Sequence, residues 1–250
     1  MPSYVIWQYW ETVDDKPAFI DGLHALARKN SGAEVVLVTP ETLGQFLSDI
    51  PKEVFEIAEI AHKTDMIRAM LVQQHGGMWL DVDAVVLGSL DWILDQLDKH
   101  EFVCFNNSNF ARQQGQPVDI AVGCFASRRG GRVVSEWVRQ QHAKFPRTEY
   151  RWREIGSELL NPICLDNKER VRVLPFEAIA PLDWDQFSQF TDRGIDASAI
   201  LQNCSLVMLY NRMFKLNNSP LTTMTIEQIA SRDYLLSAII RRAINGTDTR

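Results

Sequence analysis

The sequence predicts an α/β fold, a mostly parallel central sheet with helices on its faces. Two observations carry that prediction. Short runs rich in aromatic and β-branched residues alternate with amphipathic helical stretches, the β-α-β-α order that a parallel sheet requires. Helix signals stand where the order needs them, with Pro17 opening one helix and Gly76-Gly77 ending another. At 250 residues the chain is long enough to bury one sizeable core, and residues 1–250 read as a single domain.

Tyr4 to Trp10 is aromatic and β-branched and reads as a first, largely buried strand. After Pro17, a helix carries Phe19, Ile20, Leu23, Leu26 and Ala27 on one side. Glu34 to Val38 is a second strand, closed by Thr39-Pro40 and followed by a helix through Leu43, Phe46 and Leu47. From Pro51 the pattern becomes a long helix to about Gln74, where Gly76-Gly77 permits the left-handed conformation that ends helices. Met78-Trp79-Leu80 is a short apolar strand that runs into Asp81-Val82-Asp83. Further strands are expected at Glu101 to Phe105, Ile120 to Ala126 and Arg170 to Leu174, with a helix from Gly131 to His142. Pro175 to Arg193 is loop-rich and aromatic, and a final helix spans Ile226 to Asn245.

Composition narrows the function classes. Hydrophobic residues at 46% and charged residues at 23% are ordinary globular usage. A net charge of -6 argues against nucleic acid as a partner, because a basic face is missing. The four cysteines, Cys104, Cys124, Cys164 and Cys204, are scattered singly, which suits buried thiols in a reducing compartment better than a zinc site. The N-terminal stretch has no signal-peptide pattern and no run approaches the ~20 apolar residues of a membrane span, so a cytoplasmic location is expected.

In a strand, residues two apart project to the same side, so Asp81 and Asp83 are expected together at a strand end. Two adjacent carboxylates repel each other, and a hard cation such as Mg²⁺ or Mn²⁺ removes that repulsion while leaving positions for substrate phosphates. Taken alone, the triplet reads more readily as a pair of exposed turn carboxylates. On the preceding helix, Asp65 and Arg68 share a face with Ala61 and Val72. Such a pair is either a structural ion pair buttressing the sheet or a phosphate- and hydroxyl-binding pair.

The run His62-Lys63-Thr64-Asp65-Met66-Ile67-Arg68, followed by Gln74-His75-Gly76-Gly77-Met78-Trp79-Leu80-Asp81-Val82-Asp83, resembles the DXD sugar-binding region of glycosyltransferase family 32 and of bacterial capsular polysaccharide synthesis proteins. Clostridial glucosylating toxins share these spaced elements. Ile6-Trp7-Gln8-Tyr9-Trp10 looks like the family's first strand, Gly123-Cys124-Phe125-Ala126-Ser127 like its strand beyond the metal site, and Glu154-Ile155-Gly156-Ser157 like the helix start that faces the transferred sugar. The resemblance is strong from His62 to Leu90 and weak after Pro175.

The resemblance implies a Rossmann-like GT-A fold, a nucleotide-sugar donor (UDP-hexose foremost), a saccharide or lipid-linked saccharide acceptor, Mn²⁺ or Mg²⁺, and retention of anomeric configuration. By that analogy Asp83 ligates the metal, and Asp81 contacts the donor and reaches the metal through water. Arg68 assists the departing phosphate, and Glu154 bonds the acceptor. Trp7 would stack near the nucleobase, though a core tryptophan at a strand end is an equal reading. Gln8, Asp65, Gly77, Gly156, Ser157 and Asn211 complete the implied donor set. The family often has a histidine before Leu-Trp-Asn or Leu-Tyr-Asn; here Val207-Met208-Leu209-Tyr210-Asn211 places Met208 there, a poor ligand for hard cations, so Asn211 or water would complete the shell.

Other readings compete. Asp81-Val82-Asp83 after an apolar strand also looks like the first motif of haloacid-dehalogenase-type phosphohydrolases, but that motif normally comes near the N-terminus. A non-catalytic sugar-nucleotide-binding protein is the alternative that Met208 motivates. In the final helix, Arg241 and Arg242 beside Ile239, Ile240 and Ile244 would permit peripheral membrane contact, although packing against the domain is the commoner use of such a stripe.

Overall fold

A computed structural model describes residues 4–12, 16–202 and 204–246. The chain begins with β1 (Val5–Tyr9), α1 (Phe19–Asn30), β2 (Glu34–Val38), α2 (Pro40–Phe46), α3 (Lys52–Glu56), α4 (Ile60–His75), β3 (Gly77–Leu80) and β4 (Ala84–Val86). Next come α5 (Asp91–Leu94), β5 (Phe102–Asn106), α6 (Ser108–Gln113), β6 (Ile120–Ser127), α7 (Arg132–His142), α8 (Ser157–Asp166) and β7 (Val171–Pro175). After α9 (Ala197–Ile200) and β8 (Leu206–Met208), α10 (Asn211–Leu216), α11 (Ile226–Ala230) and α12 (Leu235–Asn245) close the chain.

A six-stranded sheet has the order β2-β1-β3-β6-β5-β7. Strands β1 and β3 pair in parallel with Trp7 opposite Trp79, and β5 and β7 pair in parallel. Strand β6 runs antiparallel to both of its neighbours, β3 and β5, so the sheet is mixed and mostly parallel. All four residues of β3 are buried, which is why that strand reads as an unbroken apolar run rather than an alternating one. Gly77 holds φ at 92° where a Cβ would lie 2.2 Å from the Val5 carbonyl oxygen, so β1 and β3 approach this closely only because the residue has no side chain.

Where composition reads as one domain, the chain packs as two compact units interleaved along the sequence, residues 1–11, 36–80 and 92–176 in the first and 12–35, 81–91 and 177–250 in the second. In the first unit one core cluster gathers Trp7, Met66, Ile67, Trp79, Phe125 and Trp137. In the second, β4 pairs antiparallel with β8, α1 and α12 pack with β4, and α11 packs with α1 and α12. Gly22 of α1 meets Ile226 of α11 so closely that a Cβ would sit 2.5 Å from its Cγ2.

Two long helices predicted from periodicity are each broken. The stretch from Pro51 divides into α3 and α4, because Ile57 adopts an extended backbone that carries its side chain into the core at 1% exposure. The final stretch divides at Ser231, where Arg241 donates to the carbonyls of Ala230 and Arg232, and α12 restarts with Ser237 at its first turn. In the α12 stripe that invited a membrane reading, Ile239 and Ile240 are fully buried, whereas Ile244 is 38% exposed. Among the described residues no helix is long and apolar enough to cross a membrane. None of the four cysteines forms a disulfide, and Cys104, Cys124 and Cys164 are buried.

Candidate functional site

In the first unit the site grows from α4, which is buried almost throughout its central turns. Asp65 and Arg68 are 7% and 6% exposed, so the pair is desolvated as its helix face predicts. Arg68 Nε lies 3.5 Å from Asp65 Oδ1 and donates to the Thr64 carbonyl, Nη1 donates to the Val122 carbonyl at 2.6 Å, and the guanidinium lies over the Trp79 ring. Arg68 is therefore engaged with the sheet and with Asp65.

Asp65 faces the start of α8. A Cβ on Gly156 would fall 2.6 Å from Asp65 Oδ2, so the glycine lets backbone and carboxylate meet. Ser157 is buried, and its Oγ accepts from Arg153 Nε at 2.8 Å. Sequence reasoning missed the group that fixes this approach. The buried Gln141 of α7 donates from Nε2 to the carbonyls of Asp65 and Ile155, both at 2.9 Å, and Trp137 Nε1 donates to the same Ile155 carbonyl. A glutamine on the Val134, Trp137 and Val138 face of α7 was the available signal, since a buried amide needs partners.

Trp7 and Glu154 are both held by neighbouring protein groups. Trp7 is 4% exposed, donates to the Gly76 carbonyl, and is packed by Phe46 and His75, which is the core placement that its strand-end position allowed. Gln8 is fully buried in β1. The Glu154 carboxylate accepts from Arg147, from the Arg151 N–H and from Lys144, and the Arg147 guanidinium foremost pulls its pKa down to about 2. Such a carboxylate stays ionised and bound to its cations.

The chain leaves β3 of the first unit at Leu80, and in the second unit Val82-Asp83 forms a turn before β4. Strand alternation therefore stops short of the acidic pair, and a turn, not a strand face, presents Asp81 and Asp83. Asp83 is held from two directions: its carbonyl accepts the Leu209 N–H at 3.1 Å, and its Oδ2 accepts the Asn211 N–H at 2.7 Å. The second bond exists because Tyr210 takes the left-handed conformation, φ 59° and ψ 54°, which costs a non-glycine residue about 1–3 kcal/mol. Tyr210 donates its hydroxyl to the Leu182 carbonyl, and burial first, then Asp183 and Asp83, push its pKa up. Met208, at the histidine position, is buried in β8 opposite Ala84. Neither the β4–β8 ladder nor this hairpin-like return was predicted, since three-residue strands carry too little periodicity.

Among the described residues no three His, Cys, Asp or Glu side chains cluster as a metal-binding group. Mg²⁺ and Mn²⁺ do not need one, because one or two carboxylates plus substrate phosphates and water suffice. Asn211 Oδ1 is buried without a hydrogen-bond partner, on the residue whose N–H already holds Asp83. A buried carbonyl-type oxygen left unpaired is a natural cation donor, so the Asp81, Asp83 and Asn211 set fits a hard divalent ion.

The mixed, mostly parallel sheet flanked by helices is the fold of GT-A glycosyltransferases. PaToxG glycosyltransferase shares the fold at a TM-score of 0.50 and 10% identity, over 97% of this chain and 87% of that one. The WbbM bifunctional glycosyltransferase shares it at a TM-score of 0.51 and 11% identity, over 99% of this chain and 50% of that one. The chain belongs to the capsular polysaccharide synthesis protein family, whose model matches residues 2–149, a span that holds Asp65, Arg68, Asp81 and Asp83. Comparison with curated proteins finds no match.

Proposed function

We propose that the chain transfers a hexosyl group from a nucleoside-diphosphate sugar, UDP-linked, to a saccharide acceptor during capsular polysaccharide synthesis, with retention at the anomeric carbon. The observation that carries this reading is the Asp83 carboxylate, fixed by the Asn211 N–H beside that residue's buried, unpaired amide oxygen. Asp83 with Asn211 would hold Mn²⁺ or Mg²⁺, and Asp81 would reach it through water or bind the donor. The ion, when bound, offsets the negative charge that builds on the departing diphosphate.

Asp65 accepts hydrogen bonds from hydroxyls of the donor sugar, with Arg68 holding the carboxylate in place. Gly156, whose missing side chain lets Asp65 close on the start of α8, would offer its backbone to the donor sugar beside that carboxylate. An acceptor hydroxyl oxygen bonds to the anomeric carbon as the bond from that carbon to the diphosphate oxygen breaks. The electron pair leaves with the nucleoside diphosphate, and the hydroxyl proton passes to the leaving oxygen on the same face. Preorganised charge and orientation supply the rate, and no protein nucleophile is required.

The test is Mn²⁺-dependent hydrolysis across a panel of nucleotide sugars, run on the native chain and on Asp83→Ala. Hydrolysis of at least one UDP-hexose, lost on chelation and in the variant, is the expected outcome. Full activity of Asp83→Ala in chelator would defeat the metal role, and binding of a donor without hydrolysis or transfer would favour the non-catalytic alternative.

A further inference from the structure

A cavity of about 430 Å³ is bounded by α8 and by the loop that leads into β6, and neither Asp65 nor Arg68 lines it. Its polar lining comes from Gln114, Gln116, Arg153, Glu158 and Asn161. Pro162 and Leu165 add apolar surface from α8. The size falls within the ~300–1,000 Å³ typical of small-molecule sites.

Both charged residues of the lining are already neutralised. Arg153 pairs with Asp119 and stacks over Phe110, with 4.8 Å from guanidinium carbon to ring centroid. Glu158 pairs with Arg151 at 3.1 Å. The lining therefore offers no surplus charge to a phosphate or carboxylate. It offers amides, which donate and accept in the same side chain, next to aliphatic surface. Asn161 Oδ1 accepts the Ile120 N–H at 2.9 Å, which orients the amide and leaves Nδ2 as the donor. Hydroxyls and C–H faces of a neutral sugar ring match that chemistry.

Position links the cavity to the transfer site. Arg153 lines it and donates to Ser157, the neighbour of the Gly156 that backs onto Asp65. Arg153 also holds φ at 70°, a conformation that side-chain-bearing residues rarely adopt and that recurs at ligand sites. One turn thus faces the proposed donor sugar on one side and this cavity on the other.

We propose that the cavity binds a sugar unit of a neutral saccharide acceptor that lies further along the chain than the unit receiving the transferred sugar; the inference rests on the transfer reading above and assigns its second substrate a place. The experiment titrates the isotope-labelled full chain with maltose, cellobiose, lactose and N,N′-diacetylchitobiose at millimolar concentration, reading backbone amides by NMR. At least one disaccharide is expected to shift amides of residues 114–118 and 158–165 saturably. Gln116→Trp, which fills the cavity from an exposed loop position, is expected to abolish the shifts, and Gln116→Ala to weaken binding roughly three- to tenfold. Unmoved amides with every disaccharide, or undiminished shifts in Gln116→Trp, would overturn the inference. A parallel titration with UDP-glucose and Mn²⁺ separates the two readings. If that donor binds while the disaccharides leave these amides unmoved, the cavity inference alone fails; if no donor binds while saccharide shifts persist, the donor reading fails and the cavity stands.

Discussion

Replacing Arg68 with methionine keeps most of the apolar stem and removes the charge, so the loss it causes measures what the guanidinium does. The native group satisfies two carbonyls, those of Thr64 and Val122, and lies 3.5 Å from a carboxylate that is itself 7% exposed. Removing it takes the neighbouring cation from a carboxylate in a desolvated position, which costs about 3–5 kcal/mol in comparable buried pairs. For a chain of this length that corresponds to a fall in Tm of roughly 6–20 °C. In the double variant Asp65→Asn/Arg68→Met the carboxylate charge is gone as well, so part of the loss returns, with a coupling on the order of 1–3 kcal/mol. Thermal unfolding followed by tryptophan fluorescence and circular dichroism reads all four members of the cycle. Strict additivity of the two single losses would refute the claim that Arg68 holds Asp65.

Asp83→Ala removes the acceptor of the Asn211 N–H and should cost about 1–2 kcal/mol of stability, while Mn²⁺-dependent UDP-hexose hydrolysis falls on the order of 100-fold or more; calorimetric unfolding and a coupled UDP assay check the two halves separately. Gly156→Ala pushes a methyl group to 2.6 Å from Asp65 Oδ2, so a loss of about 1–3 kcal/mol is expected, together with a raised KM for the donor; an unchanged Tm would show that the α8 start yields freely. Glu154, held near pKa about 2 by Arg147, contributes stability that is present in full above the ordinary carboxylate range and is lost as pH falls toward 2. Glu154→Gln should therefore flatten the stability profile across that acidic window, and an identical profile in native and variant chains would contradict the ion-pair assignment.

The parts of the fold that were legible in the sequence are those whose signal is long or chemically sharp. Fully buried β3 reads as an apolar run, Gly76 and Gly77 mark the end of α4, and α1 shows its core face in Phe19, Ile20, Leu23, Leu26 and Ala27. The illegible parts depend on contacts distant in sequence. Nothing local marks the break at Ile57, since no proline or glycine stands there and only tertiary burial explains it. Strands β4 and β8 have three residues each and exist because they pair with one another across the chain. The same distinction holds at the site. Burial of Asp65 and Arg68 follows from helix periodicity, whereas the turn that carries Asp81 and Asp83, the return of Asn211 onto Asp83, and the Gln141 link between Asp65 and Ile155 are not encoded by any short window.

The interleaving of the second unit has a practical consequence for anyone dissecting the molecule. A fragment stopped at residue 149, where the family match ends, keeps α1 and β4 but discards β8, α11 and α12. Phe19, Ile20, Leu23 and Val85, all at most 1% exposed in the intact chain, would then confront water as a sticky apolar slab. Such a piece should aggregate or engage chaperones instead of folding, so the boundary of the recognisable signature is not a boundary at which the polypeptide can be cut.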